Sequence, residues 1–204
     1  MLCALLAILG GCGSSGPPTP ERFFSLEPEV AVEPSAQTLP GTLLVTPLAA
    51  RGFVGGSQIV FQTAAAPLQV QRYDDLLWEA TPGRAISAAL IAALRAARVF
   101  EFTVSIADRA RPDFMLNGEI NQLEHLPTAS PPQVRAAFNL ALIANSNRET
   151  RFSKTYSGTE PTAASTPEEM IRAFNRLTGR LLTQALADLQ AQAPGLARQA
   201  TSSD

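Results

Sequence analysis

The chain has 204 residues, 46% of them hydrophobic and 17% charged, with a net charge of −2. That length suits one domain with tails, and the apolar share supplies a sizeable core and excludes a disordered chain. Acidic and basic residues are mixed with no basic stripe, which argues against nucleic-acid binding.

The amino terminus is apolar through Ile8 and runs into Leu9-Gly10-Gly11-Cys12. The run is too short for a bilayer span, which needs about 20 apolar residues, and suits the apolar core of a secretion signal. Leu9-Gly10-Gly11-Cys12 resembles a bacterial lipobox. That resemblance implies lipidation of Cys12, cleavage before it, and acyl chains such as palmitate as the anchor. Gly13 follows the cysteine where an Asp would favour inner-membrane retention, so the same resemblance implies the outer membrane. Residues 1–11 then form the signal and residues 12–21 a tether. The stretch Gly13-Ser14-Ser15-Gly16-Pro17-Pro18-Thr19-Pro20 has no means of forming a core and reaches roughly 25 Å when extended. Cys3 and Cys12 are the only cysteines, so the body has no disulfide, thiol nucleophile or cysteine metal site.

The folded part is expected over residues 22–192. Residues 23–26 read as a short strand and 27–40, rich in Pro and Glu, as a loop. The β-branched run at 42–47 reads as a strand, 51–57 as a glycine-bearing turn and 58–63 as another strand. Residues 68–78 are ambiguous between strand and loop. Thr81-Pro82 opens a helix, with Ile86, Ala89, Leu90, Ala93, Leu94 and Ala97 on one face. Strands follow at 99–106, at 113–124 and at 134–144, and the last two alternate apolar and polar residues. Asn145-Ser146-Asn147 marks a turn into a strand at 151–157. Thr166-Pro167-Glu168-Glu169 is a capping-box start, and the amphipathic helix it opens is expected to stop before Pro194-Gly195. Residues 193–204 then form a disordered tail. The class is α+β: a mixed, largely antiparallel sheet with two main helices packed on one face.

Chemistry-bearing patterns are sparse. His125 is the only histidine; it reads as a surface residue, and no Gly-x-Ser-x-Gly elbow accompanies it. One His with no body cysteine makes a zinc site improbable, and no metal or other cofactor is expected. Asp74-Asp75 is placed in a loop, and Glu119 and Glu124 show no sign of facing each other across a cleft. No phosphate-cradling glycine loop occurs, so the chain is not itself an ATPase. Phe53 and Val54, between glycines, are candidate contacts to a lipid or partner, or else a buried plug under the loop. Tyr73 and Trp78 are candidates for the same role, or else a core pair.

The order of several segments is familiar. An aromatic-x-Leu strand, Phe24-Ser25-Leu26, follows the lipobox. Then come Leu44-Val45-Thr46-Pro47 and Ile59-Val60-Phe61. Tyr73-Asp74-Asp75-Leu76-Leu77-Trp78 runs into Thr81-Pro82, and Asp113-Phe114-Met115-Leu116-Asn117-Gly118-Glu119-Ile120 completes the set. Together, over about residues 22–189, these resemble the ABC-type transport auxiliary lipoprotein family. Where the family commonly carries Tyr in its first and third strands, this chain has Phe24 and Phe61. The resemblance implies a non-enzymatic accessory lipoprotein at the outer membrane, facing the periplasm. It would dock the periplasmic MCE-type component of an ABC transporter that moves phospholipids or other hydrophobic substrates. A ring-shaped partner would favour a homo-oligomer. The alternative is a structural or assembly lipoprotein of the cell envelope.

Overall fold

A computed structural model describes residues 20–201. The expected signal (1–11), Cys12 and nearly all of the tether lie outside these residues. No helix among the described residues is long and apolar enough to cross a membrane.

The centre of the molecule is β7 (Phe114–Leu126), whose 13 residues span roughly 40 Å. One edge pairs antiparallel with β8 (Gln133–Ala144), which pairs antiparallel with β9 (Thr150–Pro161). The other edge is shared along its length. Its beginning takes β2 (Leu39–Val45), its middle β3 (Ala49–Ala50) and its end β4 (Gln58–Phe61), all parallel. Two wings grow from there. β6 (Phe100–Ser105) extends β2; β5 (Gln71–Trp78) and then β1 (Arg22–Phe24) extend β4. The result is one nine-stranded mixed sheet, antiparallel where its strands are longest.

Alternation in the long strands sorts residues between two faces. Leu116, Ile120, Phe138, Leu140 and Leu142 point to one side and are 0–3% exposed. The helices α1 (Pro82–Ala97) and α2 (Pro167–Thr201) cover that side. Thr81 and Thr166 precede prolines that begin the helices, as expected; Thr166 Oγ1 accepts from the Glu169 backbone N–H at 3.3 Å. From α2, Met170, Phe174, Leu177, Leu181, Ala185 and Leu189 supply the buried stripe. Each large apolar side chain so buried contributes roughly 1.5–3 kcal/mol. Two polar clamps hold α2 on β9. Tyr156 Oη and Lys154 Nζ donate to Asp188 Oδ2 at 2.9 and 2.7 Å, and Arg176 and Arg180 grip Glu160.

Four expectations change. First, α2 does not stop before Pro194 but continues to Thr201, so the described part of the expected tail is helical. Pro194 removes one backbone donor. Ala193 and Leu196 on either side of it are buried at 1% and 7% exposure, and this packing carries the helix on. Second, the expected 27–40 loop is a loop only to Thr38, because β2 begins at Leu39, and its first part is held as a strap along α2. The Glu27 and Ala31 backbone N–H groups donate to Asn175 Oδ1 and Thr183 Oγ1, and Gln190 Nε2 donates to Glu33 O. Gly179 lets it pass: a Cβ there would lie 2.4 Å from Glu29 O. Third, Asp74 and Asp75 lie in strand β5, with Asp74 exposed. Fourth, His125 is half-buried rather than on the surface.

Candidate functional site

At the end of the sheet where β7 finishes, a cleft of about 200 Å³ opens. Tyr73 and Leu76 of β5 form one wall, His125 and Pro127 another, and Pro132 and Met170 close it beside the 165–167 corner that starts α2. Tyr73 stacks on Phe61, ring centroids 4.4 Å apart, and its hydroxyl hydrogen-bonds His125 Nδ1 at 2.7 Å. Burial pushes His125 down to about 4 and Tyr73 up to about 12. At neutral pH both rings are uncharged. They offer hydrogen bonds to a ligand but not the near-neutral proton exchange that general acid–base catalysis wants. Among the described residues no serine bonds His125, and no group of three or more His, Cys, Asp or Glu is placed to hold a metal.

The sheet face away from the helices is the second candidate. Val104 pairs with Leu44, Leu44 with Met115 and Met115 with Ile143, so an apolar row crosses β6, β2, β7 and β8 in register. These four are partly exposed, and Phe102, beside Val104 on the same face, is 56% exposed. The row lies toward the beginning of β7, far from the cleft. Further along this face the Glu124 carboxylate, 7% exposed, accepts from Arg135 at 2.6 Å, and Gln62 Oε1 accepts from the same guanidinium at 3.0 Å. A shallower groove of about 880 Å³ separates the strap from α1.

The residues singled out from sequence are not gathered in one place. Phe53 is 44% exposed in a 3-10 turn, Gly52–Gly55, with the Arg72 guanidinium 4.3 Å above its ring. Gly52 starts that turn at φ +60°, which a side chain would resist. Val54 beside it is a core residue, 9% exposed. Trp78 is also core, 3% exposed and edge-on to Phe174 at 5.4 Å, because α2 lies directly over the end of β5. Neither presents itself to a partner. Tyr73 lines the cleft. Cys12 lies outside the described residues. The apolar row was not singled out from sequence, although Leu44, Val104, Met115 and Ile143 each interrupt a face that alternation assigns to solvent.

The family described as ABC-type transport auxiliary lipoprotein component matches residues 24–185. No curated protein sequence matches the chain significantly. Among solved structures, protein XCC0632 from Xanthomonas campestris, of family DUF330, aligns with a TM-score of 0.76 at 15% identity, covering 87% of this chain and 99% of that one. A PelC dodecamer from Paraburkholderia phytofirmans gives 0.51 at 14% identity, covering 78% and 95%. The hypothetical protein CT253 from Chlamydia trachomatis gives 0.51 at 10% identity, covering 75% and 97%. At these identities the likeness is one of fold.

Proposed function

We propose, from the premise that this chain belongs to the ABC-type transport auxiliary lipoprotein component family, that it docks the periplasmic MCE-type component of such a transporter at the outer membrane. Lipid on Cys12 holds it there, facing the periplasm, and residues 12–21 let the domain stand off the bilayer. The role is capture and alignment of a hydrophobic-substrate carrier, not catalysis. The observation that carries this reading is the apolar row Val104–Leu44–Met115–Ile143 on the helix-free face. It lies toward the end of the sheet opposite the one where Arg22 enters from the tether. Tethering raises the local concentration of that face, so a weak contact suffices. A fold relative, PelC, is a dodecamer. That supports a ring of copies here too, since matched symmetry multiplies weak contacts.

A photo-cross-linker at Phe102 in the full-length protein, read by mass spectrometry from bacterial envelopes, tests the proposal. Capture of an MCE protein, with permease and ATPase retained behind it, is expected. Replacement Cys12→Ser is expected to release the protein from the membrane fraction. Capture of barrel-assembly or cell-wall proteins alone, where transporter complexes survive, would hand the function to the structural alternative.

A further inference from the structure

The direction of the tether relative to the fold is set by β1. Arg22 pairs with Leu76, and its guanidinium meets Glu168 Oε1 at 3.1 Å. Leu76 lines the cleft, and Glu168 stands between Pro167 and Met170, which line it too. The chain therefore leaves the domain toward Cys12 at the rim of the cleft. From Arg22 back to Cys12 is 10 residues, at most roughly 35 Å of extended chain.

The connection from β4 to β5 stands at the same end. Its Ala64 backbone N–H donates to Thr128 Oγ1 at 2.7 Å, which pins it to the β7–β8 connection beside the cleft. On it Leu68 is 97% exposed and Val70 42%. A single exposed leucine is ordinary on a protein surface. This one projects, with Val70, from the end of the molecule that the tether holds nearest the bilayer.

We infer that this end of the sheet seats on the lipid surface that carries the anchor, with Leu68 and Val70 entering the boundary between headgroups and acyl chains and the cleft taking the end of one hydrocarbon chain. The cleft's size fits that role. At about 200 Å³ it exceeds the roughly 150 Å³ apolar cavity that takes up benzene, yet falls below the roughly 300–1,000 Å³ of pockets that enclose whole ligands. It admits part of one chain and not a phospholipid, so the contact orients the domain and carries no cargo. Two cations at this end are committed, Arg22 to Glu168 and Arg135 to Glu124, so the seat is argued from its apolar side chains and not from attraction to anionic lipid.

The inference rests on the Cys12 anchor of the proposed function, and one experiment separates the two. Full-length acylated protein is reconstituted into phosphatidylcholine vesicles. An environment-sensitive fluorophore is placed through Leu68→Cys, through Ser165→Cys at the cleft mouth, or through Ser146→Cys at the far end of the sheet. All three positions are exposed. Labels at 68 and 165 are expected to shift to the blue and lose roughly half or more of their emission to lipids with a nitroxide high in the acyl chain, while the label at 146 stays in water. Protein that floats with the vesicles while 68 and 165 remain unquenched overturns the seat and leaves the anchor standing. Shielding of 68 only after a periplasmic partner is added gives the surface to that partner and overturns the seat likewise. Protein that fails to float overturns the anchor, and the seat with it.

Discussion

Leu142 and Ile143 are neighbours on β8 with opposite surroundings. Leu142 is fully buried beneath α2, whereas Ile143 ends the partly exposed row on the helix-free face. The same contrast repeats between Phe138 and Asn139 and between Leu116 and Met115. On the covered face an apolar side chain holds the fold together. On the open face an apolar side chain has nothing of the described fold to pack under, and the proposed partner would cover it.

Substitutions along β8 and its neighbours sharpen that contrast. The largest effect is expected on the covered side: Phe138→Ala should cost about 3–5 kcal/mol in urea denaturation, because the helices cannot close the void. On the open face, removing the one deeply placed ion pair comes next. Arg135→Ala leaves the Glu124 carboxylate without its cation and should cost about 2 kcal/mol, discounted for the guanidinium's partial exposure; Arg135→Ala with Glu124→Gln should recover part of it. A pH titration gives a smaller effect. His125 is held at about 4 against an ordinary 6.5, so the unfolded chain takes up a proton that the native state refuses. Stability is then full above pH 6.5 and falls as pH drops toward 4, by about 1–2 kcal/mol once screening of a half-exposed ring is allowed for. His125→Phe should flatten this slope. Asp188 and Glu160 titrate lower. Burial raises each carboxyl, but bonds from Lys154 and Tyr156, and from Arg180 and Arg176, outweigh it and hold both below their ordinary ranges. Their contribution disappears only in stronger acid. The smallest stability effect belongs to the open row: Ile143→Ser should change stability by less than about 1 kcal/mol while sharply reducing partner cross-linking from Phe102. A loss of folding instead would mean that the row is core.

Much of this architecture was legible in the sequence because it follows local rules. The starts of both helices are marked by Thr-Pro, and the strands around 113–144 by alternation of apolar and polar residues. What escaped depends on residues far apart in the chain. The strap is a loop in the structure as in the sequence; what the sequence hides is that it is pinned, because its partners, Asn175, Thr183 and Gln190, lie about 150 positions away. The sharing of one β7 edge by β2, β3 and β4 leaves no periodic trace. The full length of β5 was obscured by Asp74-Asp75, a pair depleted in strands generally. For Trp78 and Val54 the sequence leaves contact and core both open, because it shows an aromatic or apolar residue near a turn but not what covers it; their burial selects core. The cleft's Tyr73–His125 bond joins residues from two strands separated by β4, and no spacing announces it.

The strap has a mechanical consequence. A pull on the chain ahead of Arg22 runs along β1, whose bonds to β5 lie across the line of force and bear it together rather than opening one after another. Behind β1, the bonds at Glu27 and Ala31 pass the load to α2 at points about two turns apart, and the clamps at Asp188 and Glu160 spread it into β9. A domain pulled from its amino-terminal side is therefore loaded in shear through its longest helix, and it resists being unzipped from that end.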